Sequence, residues 1–392
     1  IKVLRKAEND KDLTISDLKV KPGSKPGDHF ASIMFKAIIS YKTRGIEVLS
    51  RSLVVKTVPV EEGLKKDFLK DSHLFDREII MYTKVLPEMK RLMESIKDFE
   101  DLAPRLIYHD TDPLVIIFED ITKFGYEMHY DLYDFDNTIK IVKKLAKYHA
   151  LSFYMNDNKY SNKLDLTQYK TTMSSEMLDQ MKVFFEGFSI LKEEVATWPG
   201  YEEVTEKIGE LKNNFAKTFL RIYDPNPEPG YNVLCHGDFH IRNMMFIKNG
   251  ENLEKTMFLD FQISFWGSPA IDLLYLLYAI GGSDTRKRRE EMLKIYHDYF
   301  SDYLNRLGCL KKPPSLLQLN IEMLDKGAME VFWAMCIFPF FCLDFSKIDM
   351  EEMLLPAQQD NMLETRKAMY KNERTVKVLK EVLHDLMYKG LI

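Results

Sequence analysis

The sequence predicts an α+β chain in which a small strand-rich N-terminal lobe precedes a large, mainly helical C-terminal lobe. Three observations lead there. Residues 31–41 (ASIMFKAIISY) and 52–58 (SLVVKTV) are rich in β-branched and aromatic side chains, as strands are. A short continuous apolar run, residues 114–118, follows Pro113 and stops at Glu119-Asp120, the pattern of a buried strand. From Asn137 onward the periodicity turns helical, with Ile141, Leu145, Tyr148 and Ser152 on one face. The two patterns meet near residues 118–122, so the expected division is 1–120 and 121–392.

Taken in chain order, residues 21–30 (KPGSKPGDHF) hold two Pro-Gly pairs and predict a turn ahead of the first long strand. A polar stretch around Gly45 separates that strand from the next. A helix over residues 74–86 should stop at Pro87. Two brief strands, 231–235 and 255–261, interrupt the later helices, and after Asp272 the chain reads as helical to its end. The longest uncharged apolar run, 331–343, reads as a buried helix ending near Pro339 and falls short of the ~20 residues a membrane span needs.

The 392 residues carry 55 Lys and Arg against 60 Asp and Glu, a net charge of −5, which gives no electrostatic footprint for nucleic acid. The one basic run, Arg286 to Arg289, is followed at once by Glu290 and Glu291 and reads as a solvated helix face. Four cysteines, Cys235, Cys309, Cys336 and Cys342, are too few for a disulfide framework and lack zinc spacing. With no secretory pattern behind Ile1-Lys2-Val3, a reducing, cytoplasmic setting without a membrane is expected.

The chemistry concentrates in His236-Gly237-Asp238-Phe239-His240-Ile241-Arg242-Asn243, directly after the apolar stretch NVLC. Asp238 and Asn243 stand five residues apart in what must be a loop, and Asp260 follows Asn243 by 17 residues at the end of a second strand. One acid able to act on a hydroxyl, and an acid with an amide able to hold a hard cation such as Mg²⁺, are what phosphoryl transfer requires. Asp and Asn taken singly are ordinary loop residues. The His-Gly lead and the two strand contexts make the set. In residues 52–58 the period of two puts Val54, Lys56 and Val58 on one face. Phe75, Glu78, Ile79 and Tyr82 share a helix face at i, i+3, i+4 and i+7. An inward lysine and an inward glutamate are each costly alone and compatible as a pair.

HGDFHIRN, FLDFQ and SPAIDLLYLLY resemble the choline kinase and aminoglycoside phosphotransferase branch of the protein-kinase-like fold and, more closely, the insect ecdysteroid-kinase-like family. LVVKTVP, FDREIIMYTKVLP, VIIFEDI and KKLAKYHALSF occur in the order that family presents them, and the resemblance spans residues 27–278. It implies a bilobal protein-kinase-like fold, with a small antiparallel-sheet nucleotide-binding N-lobe (1–120) and a large, mainly helical catalytic and acceptor-binding C-lobe (121–392). It also implies roles for individual residues. Asp238 would be the base or orienter of the acceptor hydroxyl, and His236 would position its loop. Asn243 and Asp260 would hold Mg²⁺. Lys56 would contact the ATP phosphates and Glu78 would fix Lys56. The backbone at Glu119 and Ile121 would meet the adenine, and Asp272 would anchor the catalytic loop. A GxGxxG loop is absent, so Gly27, Asp28 and Ser32 would cover the phosphates instead, and Gln262 stands where protein kinases have glycine. His149 reads as a packed, hydrogen-bonded histidine.

Asp272 follows Asp260 by only 12 residues, too few for the activation loop and peptide platform of a protein kinase. Conversely, His236 follows Ile121 by 115 residues, and this stretch, with Tyr130, Tyr133, Phe153, Tyr154, Phe184, Phe185 and Phe188, could wall a pocket together with the helices after Asp272. The expected protein is an ATP- and Mg²⁺-dependent kinase for a hydroxyl of a small, largely apolar acceptor, an ecdysteroid or a detoxification substrate. The alternatives are a choline- or aminoglycoside-type kinase and a catalytically silent, ATP-binding pseudokinase.

Overall fold

β-branched and aromatic runs in the first third build a five-stranded antiparallel sheet. Its strands are β1 (Thr14–Pro22), β2 (Ile33–Lys42), β3 (Val48–Thr57), β4 (Leu106–Thr111) and β5 (Leu114–Glu119), in the spatial order β1-β2-β3-β5-β4. The computed structural model describes residues 1–23, 33–44, 48–58, 74–157, 164–180, 182–227, 230–343 and 360–392. The turn expected over 21–30 lies mostly outside them, as does the Gly45 stretch. By packing, the chain forms two units: Ile1–Tyr130 with Arg242–Gln262, and Asp131–Ile241 with Ile263–Ile392. The α+β class is the expected one: the sheet lies in the first unit and most helices in the second.

In the first unit, pleating sends alternate residues to opposite faces. Ala37, Ile39, Tyr41 and Leu53 pack with Leu4 and Leu13 in a core on one face. The register places Lys56 opposite both Met34 and Ile116, and Val54 opposite both Lys36 and Phe118. These residues share the other face. A hairpin of β7 (Met244–Asn249) and β8 (Asn252–Phe258) joins the unit where Glu127 and Phe246 exchange two backbone hydrogen bonds, of 2.9 and 2.8 Å.

The helix Leu74–Ile80 does not end at Pro87. A π turn over Met81–Val85 follows it, and the helix resumes as Leu86–Ser95 with the proline in its first turn. The Leu86 amide bonds the Met81 carbonyl, five residues back. A wide turn just before the ring relieves its clash with the carbonyl four residues back. The second unit repeats the device. Helix Ala328–Phe332 passes through a π turn, Trp333–Ile337, into Phe338–Phe341, so the chain stays helical two residues beyond Pro339. The Met335 carbonyl, which Pro339 cannot serve, accepts a hydrogen bond from the Tyr370 hydroxyl at 2.8 Å.

The second unit is organised on the helix Phe135–Met155, N-capped by Asp134, whose carboxylate accepts from the Asn137 amide at 2.9 Å. Ile141, Leu145, Tyr148 and Ser152 are fully buried on it, as their spacing predicts. A short strand pair, β6 (Val233–Cys235) with β9 (Phe265–Gly267), is tied to this helix where the Leu234 amide donates to Ser152 Oγ at 2.9 Å. The basic run is not a solvated face throughout. Arg286, near the end of the short helix Ser283–Lys287, and Arg289, at the start of the next helix, turn inward onto Glu381 (3.0 Å) and Glu330 (2.7 Å). Among the described residues no helix is long and apolar enough to cross a membrane.

Candidate active site

Each unit carries one group of the residues singled out from the sequence. In the first unit Lys56 is 3% exposed and its ammonium lies 2.6 Å from Glu78 Oε2 and 2.9 Å from Asp260 Oδ1. Strand pleating turns Lys56 inward and the helix face turns Glu78 to meet it, so two locally costly choices become one ion pair. Burial opposes the charge on Lys56, but Asp260 and Glu78 outweigh it and hold its pKa above the usual lysine value. Burial pushes the Glu78 carboxyl up, to about 7, against the pull of Lys56.

Asp260 follows the end of β8 with φ = +61°, a left-handed backbone that non-glycine residues seldom adopt. Its neighbours hold it there. The Leu259 amide donates to the Asn243 carbonyl at 2.9 Å, which fixes Asn243 beside the turn. Phe261 is fully buried edge-on against Tyr82, with ring centroids 5.7 Å apart, and Tyr82 in turn meets Phe118 at 4.7 Å. One Asp260 oxygen is engaged by Lys56; the carboxylate and the Asn243 amide are hard oxygen donors of the kind Mg²⁺ takes. Among the described residues no group of three or more His, Cys, Asp or Glu forms a ready-made metal cage.

Glu119 ends β5 with its amide donating to the Arg105 carbonyl at 3.0 Å, so any contact it makes to a base falls to its own carbonyl. Ile121 begins the 3₁₀ turn Ile121–Phe124 and is buried against Tyr126 and Met257. Gly27, Asp28 and Ser32 lie outside the described residues. Sequence reasoning passed over Asp120 and Lys36. The Asp120 carboxylate, 1% exposed, accepts from Ser52 Oγ at 2.6 Å and meets Lys36 Nζ at 2.5 Å. Burial opposes its charge, but hydrogen bonds from Lys36, Ser52 and Thr122 hold its pKa below the usual aspartate value. The signals in the sequence were an Asp directly after a buried strand, a Thr two residues on, and a Lys in a period-two run.

In the second unit β6 leads into His236, Gly237 and Asp238. Asp272, fully buried in the first turn of the helix Ala270–Ala279, accepts from the His236 amide at 2.6 Å and the Gly237 amide at 3.0 Å. His149 Nε2 lies 3.1 Å from the same carboxylate and its Nδ1 lies 2.7 Å from the Tyr296 hydroxyl. With Asp272 accepting, His149 carries its proton on Nε2 and takes the tyrosine hydrogen bond on Nδ1. It is therefore a packed histidine holding the loop's anchor. Gly237 has φ = +86°, and a Cβ there would come within 2.5 Å of the Ile263 carbonyl oxygen. Gly237→Ala is expected to lower stability by about 2–3 kcal/mol, read as a shift in the urea midpoint.

Asp238 Oδ1 lies 3.2 Å from His240 Nε2, and its side chain keeps 30% exposure. Aromatic contacts run on from there: His240 to Phe341 (5.7 Å), Phe341 to Trp333 (5.7 Å), and Trp333 to Tyr275 (4.7 Å). Tyr275 is hydrogen-bonded to Tyr223. Burial pushes both phenols up, and the Asp238 charge adds to both. Phe341 and Tyr275 are partly exposed along this path, whereas Trp333 and Tyr223 are buried core residues. Tyr133, Phe153 and Phe188, named as pocket walls from the sequence, are core residues instead.

No curated protein is matched by the sequence. Among solved structures, the choline kinase LicA from Streptococcus pneumoniae is 14% identical over 97% of this chain and 98% of its own, with a TM-score of 0.35. A Plasmodium vivax ethanolamine kinase is 12% identical over 92% and 84%, with a TM-score of 0.37. The GDP complex of a wild-type aminoglycoside 2′-phosphotransferase-IIIa is 12% identical over 94% and 97%, with a TM-score of 0.38. The family model is the decisive match: it covers residues 26–309, from ahead of β2 to beyond the loop anchor Asp272, and the chain belongs to the ecdysteroid kinase-like family.

Proposed function

We propose that this protein is an ATP- and Mg²⁺-dependent phosphotransferase that moves the γ-phosphate to a hydroxyl of a small, largely apolar acceptor, an ecdysteroid or a detoxification substrate. The observation that carries the reading is the buried Lys56, bracketed by Glu78 at 2.6 Å and Asp260 at 2.9 Å. A buried lysine held between two carboxylates is a fixed cation for phosphate oxygens. Asn243 and Asp260 would hold Mg²⁺, which when bound neutralises charge on the β- and γ-phosphates. The Glu119 carbonyl and the Ile121 amide would receive the adenine. Asp238, on a loop whose two amides are fixed by Asp272, would orient the acceptor hydroxyl and take its proton. His236 would set the loop's path. Residues 1–120 would then serve as the nucleotide lobe and 121–392 as the catalytic and acceptor lobe.

Two features favour a small apolar acceptor. The short link from Asp260 to Asp272 is occupied by β9 and the start of a helix, which leaves no length for a peptide platform. His240, beside Asp238, leads to the partly exposed ring of Phe341, apolar surface of the kind small-molecule sites use. Four free thiols accord with a cytoplasmic setting. The test is phosphate transfer from ATP to a panel of hydroxylated steroids, phenolic glycosides and amino alcohols, with melting temperatures recorded in ATP and Mg²⁺. Transfer to the apolar members is expected. Transfer to amino alcohols alone would replace the acceptor class, stabilisation by ATP without any transfer would favour a silent pseudokinase, and no stabilisation would remove the nucleotide site.

A further inference from the structure

We propose that Asp120 is a positioning residue for the nucleotide: its carboxylate clamps the turn that follows β5 to the sheet face that carries Lys56. The proposal rests on the nucleotide-site reading and adds to it a residue that touches no substrate.

The clamp is a closed polar ring. Asp120 Oδ2 accepts from Ser52 Oγ (2.6 Å) and Lys36 Nζ (2.5 Å), while Oδ1 accepts from the Thr122 hydroxyl (2.6 Å) and the Thr122 amide (3.1 Å). Lys36 Nζ closes the ring by donating to Thr122 Oγ1 at 2.7 Å. Three segments meet in it: β2 through Lys36, β3 through Ser52, and the turn through Thr122. The register of β3 on β5 sets Leu53 opposite Glu119, so Ser52 and Asp120 come next in line and share a face. Lys56 lies four residues along β3 on that same face, about 13 Å away at strand rise. A base recognised at Glu119 and Ile121 and phosphates held at Lys56 must be served by groups at a fixed separation, and the clamp joins the two ends through one strand. Misplacement by about 1 Å in such a site costs on the order of 100-fold.

The chemistry argues for more than a turn cap. An Asp capping its own turn needs only the Thr122 amide. Here the same carboxylate also draws in a lysine and a serine from two strands, a charged cluster of a kind whose replacement by apolar groups of equal volume is often neutral for stability. What the charged version adds is directional geometry. Because four donors occupy both oxygens, Asp120 acts through the turn backbone rather than on the base itself.

The experiment compares the binding of ATP and of inorganic tripolyphosphate, each with Mg²⁺, by calorimetry on the full chain. Asp120→Asn should weaken ATP about 10-fold and leave tripolyphosphate within about 2-fold, because only the base-dependent part of affinity passes through the turn. Ser52→Ala and Lys36→Met, which each remove one donor and spare the carboxylate, should weaken ATP about 3-fold, and adding Ser52→Ala to Asp120→Asn should do no further harm. These single-donor variants decide the matter should Asp120→Asn fail to fold. Equal loss for both ligands, or an unchanged ATP affinity in all variants, overturns the clamp while leaving the nucleotide site in place. Wild-type protein that binds neither ligand overturns the nucleotide site, and the clamp with it.

Discussion

Lys56→Met is expected to cost about 3–5 kcal/mol of stability above neutral pH, and far less in mild acid. The substitution keeps the apolar stem and removes the ammonium, stranding Glu78, 1% exposed, beside Asp260. The pH dependence follows from Glu78, whose carboxyl burial has already raised to about 7 against the pull of Lys56. A carboxyl whose folded pKa lies above its unfolded value of about 4.3 holds more protons folded than unfolded, so its stabilisation is complete below that value and fades as pH rises through the folded pKa. Without Lys56 the folded value moves higher still. Below about pH 7 wild type and variant both fold with Glu78 protonated; above it only wild type gains an ionised, paired carboxylate. Urea titrations at about pH 5.5 and about pH 8.5 should therefore show the deficit widening with pH, and a Lys56→Met/Glu78→Gln double variant should flatten the difference. An equal deficit at both pH values would mean that Glu78 does not titrate in this range.

That pair was legible in the sequence because each partner declares itself locally. Lys56 falls in a period-two run, Glu78 on a helical i, i+3, i+4 face, and neither periodicity needs tertiary information. The loop from His236 to Asn243 was legible for the same reason, being eight consecutive residues behind an apolar strand. Less visible were elements whose patterning is not set by burial. β1 is an edge strand exposed along most of its length, and β9 is three residues long, so neither offers a hydrophobic period to read. The strand expected over 255–261 ends at Phe258, because Asp260 takes a left-handed backbone that no strand continues through. Pro87 misled for a physical reason: a proline stops a regular helix, but a π turn ahead of it lets the helix go on, and no single-sequence pattern reports that turn. Asp120 was missed because its meaning lies in register. Ser52 and Lys36 become its partners only once β2, β3 and β5 are aligned.

Asp238→Asn and Asp272→Asn should both abolish most phosphate transfer, for different reasons that stability separates. Asp238 keeps 30% exposure and is engaged by His240, so an isosteric amide there should change folding by no more than about 0.5 kcal/mol. In the proposed reaction it removes the proton acceptor for the attacking hydroxyl, and the turnover number should fall by about 10²–10⁴ with the ATP-induced melting shift retained. Asp272 is fully buried and receives three hydrogen atoms, from the His236 and Gly237 amides and from His149. An asparagine amide can accept on its oxygen only, and its NH₂ must face one of those donors head-on. Leaving a buried donor unserved costs about 1–3 kcal/mol, so with the lost charge a penalty of about 3–5 kcal/mol is expected, together with a loop free to leave its catalytic position. Turnover on the best acceptor of the panel and urea midpoints for both variants decide the matter. Wild-type turnover in Asp238→Asn would remove Asp238 as the base, and wild-type stability in Asp272→Asn would show that the loop is held by something other than its buried carboxylate.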